Sequence, residues 1–371
     1  MGTVGGVEPI GFDDVSVAYD AGPPALDHLD LTIGGGELFG LVGPSGCGKT
    51  TALRVLAGLE RPTSGRIRHG GRDITKLPAR KRRFGYVTQQ NQLMDHLTTA
   101  GNIAFPLELA PRRRGDRPRE RAREEAARLG IEHLLDARPT TLSEGQRRLA
   151  QLARAIIGAP GGLLLDEPLG FLEQTARVRV RAAIAESHHE RGLTSVMATA
   201  DQGEAMHLCD RIAVLFDGVV EQVAPPQVVY ARPATARVAA FFGEPEMNIV
   251  PAAVHVRGPD RFVEVLGHPV RLRTPELDVY AGRSVLVGIR PDDVEVGGPS
   301  DRSVGCLVER SEGHGSAARL RTVAPDGTTI RCSVGGRAPS FGAVLDVAFP
   351  ADRLHLFDPS TGIAIHHPPV A

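Results

Sequence analysis

The chain has 371 residues, 42% hydrophobic and 23% charged, with a formal net charge of -1. That length accommodates a main α/β domain and a smaller one, and the near-neutral balance excludes a general attraction to nucleic acid or anionic lipid. Cys47, Cys209, Cys306 and Cys332 are spaced too widely for a metal-ligand set or a dense disulfide framework, and they point to a reducing cytosol. The start, MGTVGGVEPIGFDD, lacks the basic segment and apolar core of a signal peptide. No apolar run reaches bilayer length, so a membrane role needs another anchor.

In chain order, VSVAY and LDLTI alternate apolar and polar residues, which predicts antiparallel strands. The apolar strand LFGLVG then opens into GPSGCGKT, Gly43 to Thr50, followed by a helical pattern. This is G-x-x-x-x-G-K-[ST] in its proper strand-to-helix context. The candidate phosphate-binding residues are Gly43, Pro44, Ser45, Gly46, Cys47, Gly48, Lys49, Thr50 and Thr51. The glycines let backbone N–H groups face phosphate oxygens, Lys49 supplies a point charge for the outer phosphates, and the Thr50 hydroxyl is suited to magnesium.

Arginines cluster at Ala79 to Arg83 and at Pro111 to Gly130, where either a nucleic-acid surface or a solvated helix face with interleaved glutamates fits. The stretch from about Asp95 to Ala159 reads as a helical subdomain. Within it, TLSEGQRRLAQLARAIIG puts Leu149, Leu152, Ala153, Ile156 and Ile157 on one helix face, with Ser143 and Gln146 as a capping box and Gly145 leaving the N-terminus open to an anion.

LLLDEP ends a buried strand with Asp166 and Glu167. Asp166 is placed to hold magnesium and Glu167 to act as general base on an attacking water; a structural pair capping the next helix is the alternative. A third apolar run, TSVMATADQGEAM, ends at Ala200, where a polar side chain is expected at a strand's carboxyl end. Alternating RIAVLFDGVVEQV follows. From Gly243 the texture changes to short period-2 strands, with an Asp326-Gly327 hairpin signal, which reads as a small all-β barrel-like domain.

Phosphate loop, LSEGQ and LLLDEP in that order resemble the ATP-binding cassette ATPases over roughly the first 240 residues. The resemblance implies an α/β P-loop NTPase with a helical subdomain, residues 1–242 forming the nucleotide-binding domain. It also implies that Tyr19 stacks on adenine and that Gln89 in GYVTQQ senses magnesium and the water. Ser143, Gly145 and Gln146 would clamp the γ-phosphate of ATP held by an opposite subunit.

FFGEPEMNIVP, LVGIRPDDV and LFDPSTGIAI look like the OB-like, TOBE-type C-terminal barrel carried by ATPase subunits of carbohydrate importers, here 243–371. NQLMDHLTTAGNIAFPL is similar to the groove that receives a membrane-subunit helix in that group; Leu93, Met94, Leu97 and Phe105 are either that groove or core. The implied partners are two transmembrane permease subunits, a second ATPase subunit (the same chain or another) and, indirectly, an extracytoplasmic solute-binding protein, with no nucleic acid. The implied place is peripheral, on the cytoplasmic face of the membrane, with ATP and Mg2+ as cofactors.

The chain departs from the family pattern in three places. Ala200 stands where a switch histidine contacts the γ-phosphate; losing one such preorganised donor costs about 3 kcal/mol, on the order of a hundredfold in rate. LGFLE, Leu169 to Glu173, replaces a segment ending in Ala-Leu-Asp, and Glu144 adds a charge inside LSEGQ. The expectation is an impaired site and pairing with a more complete ATPase subunit, a slow homodimer being the alternative.

Overall fold

A computed structural model describes residues 8–19, 22–90, 93–109, 117–158, 161–297, 303–314 and 317–369. Arg112 to Arg114 of the second arginine cluster lie outside them. The chain divides into two compact units, Met1–Pro226 and Gln227–Ala371.

The first unit is built on a six-stranded sheet in the order Val219–Ala224, Arg211–Phe216, Leu38–Val42, Ser195–Thr199, Leu163–Asp166, Gly85–Val87. All neighbours are parallel except the antiparallel hairpin at the Val219–Ala224 edge. Every residue of Leu38–Val42, Leu163–Asp166 and Ser195–Thr199 is buried, which is why these segments read as continuous apolar runs. Parallel register sends all three carboxyl ends to one edge, with Val42 beside Thr199 and Asp166 beside Ala198. A separate antiparallel sheet joins Leu26–Ile33, Ile10–Val17, Ser64–His69 and Arg72–Asp73.

Between the strands Gly85–Val87 and Leu163–Asp166 lie the helices Thr99–Glu108, Pro118–Arg128 and Glu144–Ile157. On the second, Arg117 pairs with exposed Glu120 at 3.0 Å as a solvated face would, whereas Glu125 is buried and is neutralised by Arg128 at 3.6 Å together with Arg191. The first arginine cluster behaves differently. Arg82 is only 4% exposed, and its guanidinium donates to the carbonyls of Val55, Leu56, Thr75 and Leu77, capping the end of the helix Lys49–Ala57. Orphan carbonyls at a helix C-terminus, not solvent, select that arginine.

The second unit is all-β apart from short helices: sheets of six and five strands enclose one core that includes Val254, Val263, Val287, Leu320, Ile330 and Leu356. The Asp326-Gly327 turn joins Ala317–Val323 to Thr329–Gly335 as a hairpin, Gly327 adopting φ 88°. The helices Pro226–Ala231 and Ala236–Phe241 are fastened to this unit by Arg290, which donates to the carbonyls of Tyr230, Ala239 and Phe242.

A contacting pair of histidines, His355 and His367, makes this unit acid-sensitive, burial holding the pKa of the second down at about 4. His355 is 3% exposed, its Nδ1 lies 2.9 Å from His367 Nδ1, and burial with neighbouring cations holds its pKa down at about 3. In the unfolded chain an imidazole titrates near 6.5, so as pH falls from there the unfolded chain takes up a proton that the folded one refuses. Stability is therefore complete above about 6.5 and declines below it, by about 1.4 kcal/mol per pH unit from this group. Urea unfolding between pH 7.5 and 5 should show that slope in the wild-type chain and a shallower one in His355→Leu. Equal slopes would contradict the assignment.

Candidate functional site

Strand Leu38–Val42 and helix Lys49–Ala57 are joined by the glycine loop, and the backbone demands glycine at defined points. A Cβ on Gly43 would stand 2.2 Å from Leu215 O, and one on Gly48 (φ 105°) would stand 2.3 Å from Ala25 O. Gly46, at φ 83°, instead opens onto free space, as a loop must where phosphate approaches the main chain. Lys49 is 5% exposed; its Nζ donates to Gly43 O at 2.7 Å and Pro44 O at 2.8 Å, which keeps the ammonium inside the cradle. Cys47 is buried beside it, and burial raises its thiol pKa.

The adjacent strand end brings in the carboxylates. Thr50 Oγ1 donates to Asp166 Oδ1 at 3.0 Å, and Tyr86 OH donates to Asp166 Oδ2 at 3.1 Å. Burial pushes the Asp166 pKa up, while these two hydrogen bonds and the nearby Lys49 charge oppose it. A hydroxyl and a carboxylate side by side are hard oxygen donors that fit Mg2+. Glu167 follows with φ 45°, its N–H bound to Ala198 O, and its Oε2 accepts from Gln89 Nε2 at 2.9 Å. A strained glutamate at a strand's end, held by an amide that leaves its second oxygen free for water, is suited to general-base chemistry.

Ala200 is exposed just beyond strand Ser195–Thr199, at the same sheet edge. The polar groups around it are engaged elsewhere. Thr199 Oγ1 donates to Glu204 Oε2 at 2.7 Å, and Asp201 caps the helix Gln202–Leu208 while pairing with Arg177 at 3.0 Å. Glu204 is 4% exposed, and burial raises its carboxyl pKa.

Tyr19 is exposed; its hydroxyl donates to Glu60, which fixes the ring and raises its pKa, and Thr51 also neighbours that hydroxyl. Ser143 caps the helix Glu144–Ile157 in a complete capping box with Gln146, and the predicted apolar face of that helix is buried. Within LGFLE, Leu169 and Leu172 are buried while Phe171 is 77% exposed at φ 62°. Of the groove candidates, Leu93 is buried, and Met94, Leu97 and Phe105 are half-buried.

The structure thus joins Lys49, Thr50, Asp166, Glu167 and Gln89 around one sheet edge. Ser143 and Gln146 are engaged in the cap of the helix Glu144–Ile157, and Gly145 in its first turn packs so closely that a Cβ there would stand 2.8 Å from Ala176 Cβ. Sequence reasoning passed over Tyr86, Arg148 and Glu204. Tyr86 stood in the quoted GYVTQQ, but a tyrosine in a strand gives no signal of a carboxylate partner 80 residues away.

A phosphate-loop strand and helix beside a strand that ends in buried Asp166 and is followed by Glu167 define a nucleoside-triphosphate hydrolase. The ABC transporter family model matches residues 26–170, the MalK OB fold domain matches 243–294, and the TOBE domain matches 287–357. The chain is 39% identical to the sn-glycerol-3-phosphate import ATP-binding protein UgpC of Cereibacter sphaeroides, over 95% of this chain and 98% of that protein. It is 38% identical to the trehalose/maltose import ATP-binding protein MalK of Thermococcus litoralis, over 92% and 95%. It is 39% identical to the xylose/arabinose import ATP-binding protein XacK of Haloferax volcanii, over 95% and 94%. A solved dimeric ATP-binding cassette in a post-hydrolysis state, bound to ADP and Pi, superposes with TM-score 0.54 at 29% identity, covering 58% of this chain and 98% of that one. The chain belongs to the ATP-binding cassette transporter family, whose ATP-binding subunits are ATPases coupled to transport. Among the described residues, no helix is long and apolar enough to cross a membrane.

Proposed function

We propose that this chain is the energy-coupling subunit of an importer for sugars or similar polar solutes, glycerol phosphates included. It works peripherally at the cytoplasmic face of the membrane against two permease subunits, with a solute-binding protein delivering cargo outside. Residues 1–242 act as the nucleotide-binding domain, with a helical subdomain at about 95–159, and 243–371 act as a regulatory barrel. The observation that carries the reading is the joint placement of Thr50 on Asp166 and Gln89 on Glu167. Near full-length similarity to import ATP-binding proteins for glycerol 3-phosphate and for trehalose and maltose supplies the solute class.

In this reading Tyr19 packs on the adenine, the loop Gly43–Gly48 and Lys49 hold the phosphates, and Thr51 lines the helix start. Thr50 and Asp166, with Gln89, would hold Mg2+, which when bound neutralises phosphate charge. Glu167 takes the proton of the attacking water, and Gln89 keeps that carboxylate oriented. Ser143, Gly145 and Gln146 present a helix N-terminus to ATP on a facing subunit. ATP closes the pair, closure moves the permease, and hydrolysis resets it.

Ala200, Glu144 and LGFLE favour pairing with a more complete ATPase subunit. Self-pairing would repeat the same deficits in both sites. Affinity capture of the full chain from its native membrane tests this. Recovery of a second ATPase subunit with the permease supports the mixed pair, and recovery of this chain alone with the permease replaces it by a homodimer.

The exposed alanine also favours a second reading, an ATP-binding regulator that hardly hydrolyses. Uptake of labelled glycerol 3-phosphate or maltose by vesicles holding the assembly separates the two. Uptake that falls with Glu167→Gln supports energy coupling by this chain, and unchanged uptake supports the regulator.

A further inference from the structure

A guanidinium is expensive to bury, yet Arg148 on the helix Glu144–Ile157 is 8% exposed. Its Nη1 donates to Thr88 O at 2.7 Å and to Gln151 Oε1 at 3.2 Å, and its Nη2 donates to Gln89 O at 3.1 Å. Gln151, one turn along the same helix face and 4% exposed, reaches Gln90 O at 3.5 Å. Three consecutive carbonyls of the loop leaving strand Gly85–Val87 are therefore received by one helix. Burial works against the arginine's charge, while Glu144, in the first turn of that helix, and Asp166 support it.

The middle residue of that tripeptide is Gln89. Its main chain is tied to the LSEGQ helix, while its side chain is tied to Glu167 at 2.9 Å. Two charge-assisted bonds from a planar fork fix the direction of a loop more tightly than apolar packing would. Packing of this helix already has its own residues in Leu149, Leu152, Ala153 and Ile156, all buried.

We propose that Arg148, assisted by Gln151, is a positioning residue that sets the Gln89 loop so that its amide meets Glu167, linking the LSEGQ helix to the hydrolytic carboxylate. The proposal rests on the reading of Glu167 as general base. Because the tether begins one turn inside the helix capped by Ser143, a shift of that helix is transmitted to the Gln89 loop through the two Arg148 hydrogen bonds, one to Thr88 O and one to Gln89 O.

The test uses the purified full chain as wild type, Arg148→Met, Arg148→Lys, Gln89→Ala and the Arg148→Met, Gln89→Ala double variant. Steady-state phosphate release should fall about tenfold in kcat for Arg148→Met with KM within threefold, and Arg148→Lys should restore part of it. The double variant should be no slower than Gln89→Ala, because both changes remove the same contact. Amide exchange over residues 88–90 should be faster in Arg148→Met while the C-terminal unit keeps its protection.

Multiplying losses in the double variant, or kcat, KM and melting temperature all deteriorating in Arg148→Met and recovering together in Arg148→Lys, would leave only a packing role. Exchange is read without turnover. A loosened loop alongside a fully active Glu167→Gln would remove the base assignment while supporting the tether; an unaltered loop would overturn the tether itself.

Discussion

Glu167→Gln is expected to reduce ATP hydrolysis by about a thousandfold while leaving ATP affinity within a few-fold of wild type. A positioned general base contributes roughly 10²–10⁴ in rate, and the amide cannot take the proton from water. The substitution is nearly isosteric, so Gln89 can keep a hydrogen bond to Oε1 of the new side chain. Lys49, Thr50 and Asp166, which hold the phosphates and their metal in this reading, are not touched. The effect should therefore fall on kcat alone, the signature of a group that acts in the transition state. Phosphate release with purified chain and a separate binding titration measure the two terms. A loss smaller than about tenfold would take the base role away from Glu167.

What could be read from the sequence was what is local. GPSGCGKT sets its own backbone, the Ser143–Gln146 cap links positions only three apart, and the Asp326-Gly327 hairpin closes on itself. The continuous apolar runs announced a sheet buried on both faces, and the OB-like barrel was legible from period-2 strands together with motifs resembling a known C-terminal domain. Contacts made across the sheet were not legible. Gly85–Val87 lies beside Leu163–Asp166 only because of strand order, and that adjacency alone lets Tyr86 reach Asp166. Arg148 and Gln89 are 59 residues apart, and nothing in RRLAQ distinguishes the buried arginine from its neighbour Arg147. Arg82 likewise sits in a run of basic residues whose composition suggests solvent, while free carbonyls at a helix end pull it inward.

Ala200→His is the second large effect, and it is a gain. Residue 200 stands just beyond the strand end that runs parallel to both the phosphate-loop strand and the Asp166 strand, so in the proposed reading an imidazole there would face the γ-phosphate that Lys49 would hold. Thr199 and Asp201, its neighbours, are committed to Glu204 and Arg177 and do not replace it. Restoring one preorganised donor is worth about 3 kcal/mol, on the order of a hundredfold. Steady-state phosphate release by the purified chain alone, measured side by side for wild type and Ala200→His at saturating ATP, should show slow turnover and a rise of about that size. Brisk turnover by the wild-type chain, with the histidine variant no more than threefold faster, would contradict the claim that this subunit brings an incomplete hydrolytic site.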